Sequence, residues 1–150
     1  MPFLCHLQDA TRSDLYLLAL LNSELGHFYF KSVCAGLEGK REIYLRFFGQ
    51  YLEGFPVAVL DLNDRKQKAT HSEITALAKQ MGEVTGQLQV AVTDKKKSYY
   101  ANKLESIDRR INSCVYDIYG LSEDEIEVVW KALQDSDSVE AMQPATDASE

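Results

Sequence analysis

A chain of 150 residues with 45% hydrophobic and 26% charged side chains is one domain's worth, large enough to bury a core without disulfides or a structural metal. Its formal charge of −7 disfavours non-specific attraction to nucleic acid by the chain as a whole, because phosphate binding exchanges condensed counterions for Lys and Arg. The longest apolar run, Leu15 to Leu21, falls far short of the roughly 20 residues a membrane span needs. The start MPFLCHLQDATRSD lacks the charged-then-apolar order of a signal peptide, so the expected location is the cytoplasm.

The charge is unevenly placed. Residues 121–150 hold nine acids and one base, and residues 1–120 hold fourteen acids and fifteen bases. The body is therefore nearly neutral, and the objection to phosphate binding belongs to the tail. Cys5, Cys34 and Cys114 are odd in number with no C-x-x-C spacing; they fit a reducing compartment and read as packing residues.

In chain order, Thr11 and Asp14 form a capping-box pattern that opens an apolar helix at Leu15, buried on most sides. Asn22 and Ser23 then compete for backbone hydrogen bonds, and Ser23 suits the cap of a second helix from Glu24 to about Cys34. On that helix Leu25, Phe28, Tyr29, Ser32 and Val33 keep helical spacing, so its aromatics are expected in a core. Between Ala35 and Asp64 the helical period is lost. Glycines and the clusters IYLRFF and FPVAVL predict a small β or irregular element there. Its bases Lys40, Arg41 and Arg46 stand beside Tyr44, Phe47, Phe48 and Tyr51, a mixture suited to phosphate and base contacts and equally to charges flanking a small sheet.

After the polar stretch LNDRKQKATHSE, Ile74, Leu77, Met81, Val84, Leu88 and Ala91 make a heptad seam. A second seam follows at Leu104, Ile107, Ile111, Cys114, Ile118 and Leu121. A short connection containing Asp94-Lys95-Lys96-Lys97 joins them, which implies an antiparallel helical hairpin. Gly82 and Gly86 each weaken the first helix by about 1 kcal/mol relative to Ala, so either a partner backbone comes close or the helix is soft there. Gly120 suits a left-handed C-terminal cap with Leu121 folding back, and Ser122 with Glu125 forms a capping box opening the last helix. Ile126, Val129 and Leu133 give that helix its stripe, with Trp130 expected in the core. From Gln134 onward, QDSDSVEAMQPATDASE has almost nothing to bury and is expected to be disordered. The fold class is thus mainly α with a small β or irregular element, one domain over residues 1–133 and an acidic tail over 134–150.

Catalytic motifs are missing. Pro2, Pro56 and Pro144 are the only prolines and none are adjacent, so no Asn-Pro-Pro-Tyr motif exists. There is no G-x-S-x-G elbow, Gly-rich phosphate loop or H-E-x-x-H, and His6, His27 and His71 have no second ligand at a useful spacing. Asp14 with Glu38-Gly39-Lys40 is a weak nuclease-like pattern, but Glu-x-Lys is common and Asp14 falls in a helix cap.

Three segments together carry a resemblance. LLALLNSELGHFYFK, RFFGQYLEGFPV and ESIDRRINSCVYDIYGLSEDEIEVV, touching roughly residues 14–60 and 100–130, resemble the TaqI-like C-terminal specificity domain of adenine-specific DNA methyltransferases and fused restriction-modification enzymes. Leu20-Leu21-Asn22-Ser23, Tyr51-Leu52 with Phe55-Pro56-Val57, and Val115 through Ser122 fit that family's Leu-Leu-Asn-Ser step, Tyr-Leu-x-x-x-Pro step and closing Val-Tyr-x-Leu-Tyr-Gly-Leu-Thr phrase. More distantly the chain is similar to the specificity subunits of type I restriction systems, where a spacer helix follows the recognition lobe. The resemblance implies that residues 14–64 end a recognition lobe and 71–133 form the hairpin and final helix. It implies a non-catalytic DNA target-recognition fragment without a cofactor of its own. S-adenosylmethionine would be bound by an upstream domain carrying an Asn-Pro-Pro motif, which this chain lacks.

Expected partners are double-stranded DNA and a methyltransferase or restriction subunit, with a homo-oligomer through the heptad seams as a further expectation. Lys40, Arg41 and Arg46 are the candidates for backbone contacts, Gln50 and Tyr51 for a base edge, and Lys95, Lys96 and Lys97 for a second phosphate-facing cluster. The rival reading is a helical protein-interaction module whose seams dock a partner without touching DNA.

Overall fold

Ser13 opens the first helix of the computed structural model, which describes residues 13–34 and 49–140. Six helices follow in order: α1 Asp14–Asn22, α2 Glu24–Cys34, α3 Gly49–Glu53, α4 Arg65–Gln89, α5 Asp94–Tyr119 and α6 Glu123–Glu140. The mainly α expectation holds, and no residue among those described is in a strand.

The caps explain the boundaries. Leu15 N donates to Ser13 Oγ at 3.2 Å, so Ser13 and not Thr11 caps α1; Thr11 lies outside the described residues. Ser23 does what its type predicts: its Oγ accepts from Gly26 N at 3.1 Å and donates to Leu20 O at 2.7 Å, ending α1 and starting α2 with one hydroxyl. Asp64 caps α4 by accepting from Gln67 N at 2.8 Å. The helix therefore begins within the polar stretch, because residues such as Lys66, Gln67 and Lys68 form helix well without contributing to an apolar period. Gly120 adopts φ 65°, ψ 33°, and Leu121 N returns to Tyr116 O at 3.1 Å, the Schellman arrangement. The Ser122–Glu125 box is closed in both directions, Glu125 N to Ser122 Oγ at 3.3 Å and Ser122 N to Glu125 Oε2 at 2.8 Å.

α4 and α5 form the antiparallel hairpin, with their seams facing each other. Ile74 and Val84 from α4 join Ile107, Ile111, Cys114 and Val115 from α5 in one buried cluster. Leu77, Met81, Leu104 and Ile118 of the same seams pack against this cluster as partly buried residues. α1 packs on the inner part of α4, adding Tyr16, Ala19 and Leu20 to the cluster. Each of α5 and α6 is crossed by α2.

Three expectations need correction. FPVAVL is not a strand: side-chain hydroxyls, in place of a neighbouring strand, take up its backbone groups. Tyr16 Oη donates to Ala58 O at 2.8 Å, Tyr119 Oη donates to Pro56 O at 2.7 Å, and Ala58 N donates to Tyr119 Oη at 3.1 Å. Phe55 meanwhile stacks on Phe30 with centroids 5.5 Å apart, and IYLRFF lies outside the described residues. Trp130 is not core but 51% exposed, its neighbour Val129 taking the buried position. The acidic tail does not start at Gln134, since α6 carries helical backbone to Glu140.

Candidate functional site

A connected polar constellation is built where α2 begins. Ser23 turns the chain so that Glu24, the first residue of α2, meets the inner end of α5. Glu24 N donates to Asn112 Oδ1 at 2.9 Å, and Asn112 Nδ2 donates to Asp108 Oδ2 at 3.2 Å. Asn112 is only 4% exposed, so both ends of its amide are spent on named partners, as burial of a polar group requires. The Glu24 carboxylate in turn accepts from two donors at the same oxygen, Oε2: Tyr116 Oη at 2.5 Å and Trp130 Nε1 at 3.0 Å. Burial and the Glu24 carboxylate push the Tyr116 phenol well above its ordinary range, and the Trp130 indole partly offsets this. Tyr116 is thus held as the neutral phenol, donating a hydrogen bond to Glu24. Asp108 is also raised, first by partial burial and then by Glu24, against the Asn112 amide.

Around this corner lies an open groove of about 620 Å³, with Tyr116, Ile126 and Trp130 on its walls and Asp117, Glu123 and Glu127 among its acids. A larger recess of about 990 Å³ separates Ala58–Leu60 from α4 and α5. There Arg110 Nε donates to Glu73 Oε1 at 2.6 Å, and the Cys114 thiol is held protonated by burial and by Glu73. Cys114 is a packing residue. Among the described residues no three His, Cys, Asp or Glu side chains gather as a metal site.

The candidate DNA contacts fall at two ends. Tyr51 is half-buried in α3, which packs on α2, and Gln50 is in the same helix. Lys95, Lys96 and Lys97 are exposed in the first turn of α5, just past the Thr93 cap. At 1.5 Å per residue the lysines stand roughly 35 Å along α5 from Tyr119, so the two sets are not brought together. Lys40, Arg41 and Arg46 lie outside the described residues, as do Glu38 and Gly39 of the nuclease-like pattern.

Sequence reasoning passed over Asn112, Glu24 and Gly26. Asn112 had a signal, a short amide directly beside the seam residue Ile111. Gly26 had none: a Cβ there would lie 2.5 Å from Leu20 O and 2.7 Å from Leu21 O, a closeness that only the folded corner creates. Comparison with known protein families, curated proteins and solved structures finds no match for the chain.

Proposed function

We propose that the chain is the carboxyl-terminal part of a DNA target-recognition module, positioning an adenine methyltransferase or restriction centre on its site. One observation carries the reading: the three phrases that resemble the TaqI-like specificity domain, though far apart in sequence, bond to one another. The Asn22-Ser23 step presents Glu24 to Asn112 and Tyr116, and Tyr119 of the closing phrase donates to Pro56 O of the Tyr-Leu-x-x-x-Pro step and accepts from Ala58 N just after it. In this reading Asn22 and Ser23 are architectural. Lys40, Arg41 and Arg46 contact phosphates, and Gln50 and Tyr51 lie near a base edge. The chain itself performs no methyl transfer, S-adenosylmethionine being bound by the catalytic partner.

Salt titration of the affinity for duplex DNA tests the proposal. Binding that falls steeply with salt and weakens in an Arg41→Ala, Arg46→Ala double variant supports it; undetectable binding at low salt refutes it. The second reading, a protein-docking module without DNA contact, is favoured by half-exposed Leu18, Val128 and Trp130. It predicts capture of a methyltransferase subunit that is indifferent to Arg41 and Arg46.

A further inference from the structure

Charge is segregated along the hairpin. Over residues 79–103, Lys79, Lys95, Lys96, Lys97 and Lys103 stand against only Glu83 and Asp94, and none of the ion pairs among the described residues includes any of them. Nearer the other helices acids are interleaved with the cations: Arg109 pairs with Glu105, Arg110 pairs with Glu73, and Lys66 shares a recess with Asp64 and Asp117. The outer half is therefore a positive arm on an acidic chain. Local stability does not account for Lys95, Lys96 and Lys97, since the first turn of a helix disfavours cations.

The connection itself is equally out of character. Hairpin connections usually carry Gly, Asn or Asp, yet here Val90 is 77% exposed, Val92 89% and nearby Tyr99 61%. Apolar side chains set among unpaired lysines complement a polyanion that also offers apolar walls. Duplex DNA does so, its phosphates lining a minor groove into which proteins insert apolar wedges. The length agrees: the lysines stand roughly 35 Å from the Tyr119 end of α5, close to one turn of B-DNA.

Resting on the reading of the chain as a DNA-recognition fragment, we propose that the outer end of the hairpin is a second duplex contact, about one helical turn from the contact made at the α3 end. Lys95, Lys96 and Lys97 neutralise phosphates, and Val90 and Val92 seat in the minor groove.

Fluorescence anisotropy of the full chain with labelled duplexes of about one and two turns, across roughly 50–200 mM salt, tests this. The wild type is expected to bind the longer duplex about tenfold more tightly. A Lys95→Ala, Lys96→Ala, Lys97→Ala variant is expected to lose that preference, its log–log salt slope shrinking by about 2–3. Val90→Ser with Val92→Ser is expected to weaken the longer complex severalfold at an unchanged slope, because an apolar contact releases no counterions. Both variants should keep their helical circular dichroism, since the altered side chains are exposed. If wild type binds DNA and both variants bind like it, the second contact is refuted while the recognition reading stands. If wild type binds neither duplex, the recognition reading falls and takes the proposal with it. Lysine-dependent sedimentation with phosphatidylglycerol vesicles in place of DNA binding would overturn it in favour of a membrane contact.

Discussion

At the scale of single residues, the corner between α1 and α2 is set by what does not fit. Gly26 is the residue whose missing side chain lets α2 approach the last carbonyls of α1, with Leu20 O only 2.5 Å from where a Cβ would stand. Gly26→Ala should therefore destabilise by about 1–3 kcal/mol, the range for overpacking, read as a lower urea midpoint; an unchanged midpoint would show the corner to be slack. A second residue tests the electrostatics. Because Asp108 is raised by partial burial and by Glu24, the native state holds its proton more tightly than the unfolded chain does. Its contribution is thus complete below the unfolded carboxyl pKa of about 3.9 and is lost as pH rises through the raised native value. Asp108→Asn should gain a few tenths of a kcal/mol at pH 7, modest because the group is exposed and screened, and gain nothing below about pH 3.9. Denaturation at both pH values decides it, a less stable Asn variant at pH 7 contradicting the argument.

At the scale of elements, the hairpin was legible because its signals are local and repeated. Seam positions, the Gly120 cap and the Ser122–Glu125 box need only periodicity and cap chemistry. Gly82 and Gly86 were the ambiguous positions, and among the described residues of this chain a Cβ at either meets nothing within 4 Å. No described backbone of the chain approaches, so within it the helix carries the entropy cost of glycine. Gly82→Ala and Gly86→Ala should each stabilise by about 0.5–1 kcal/mol, whereas Gly120→Ala, at φ 65°, should cost about 1 kcal/mol or more. Urea midpoints of the three variants give the signs. FPVAVL misled for a physical reason: β-branched composition reports a half-buried extended segment, not whether another strand or a pair of tyrosine hydroxyls takes its backbone groups. Trp130 misled for another reason: spacing placed Val129 on the buried stripe, where it is found, and Trp130, one position off that stripe, was added to the core on its apolar size alone.

For the molecule as a whole, the candidate site was legible as a set of phrases but not as a geometry. Nothing in the spacing of Glu24, Asn112 and Tyr116 announces that they share hydrogen bonds, because their sequence separations of 88 and 92 residues are closed only by packing. The same long-range closure makes the fold uneven. Tyr16, Leu20, Ile74, Ile107, Ile111 and Val115 are buried together where α1 and α2 meet the hairpin. Beyond Val84 the hairpin has only partly buried side chains such as Leu88, Tyr100 and Leu104 to hold it, and it includes the exposed Gly86. Few buried apolar contacts mean a low local opening free energy. Native-state hydrogen exchange should therefore be graded along α4 and α5, with amides near Ile74 and Ile111 exchanging only through global unfolding and those from about Thr85 to Leu104 exchanging through a smaller opening. The Gly82→Ala, Gly86→Ala double variant should slow exchange in the outer half more than in the inner half. Uniform protection from end to end would instead mean that the hairpin opens as one unit with the rest of the bundle.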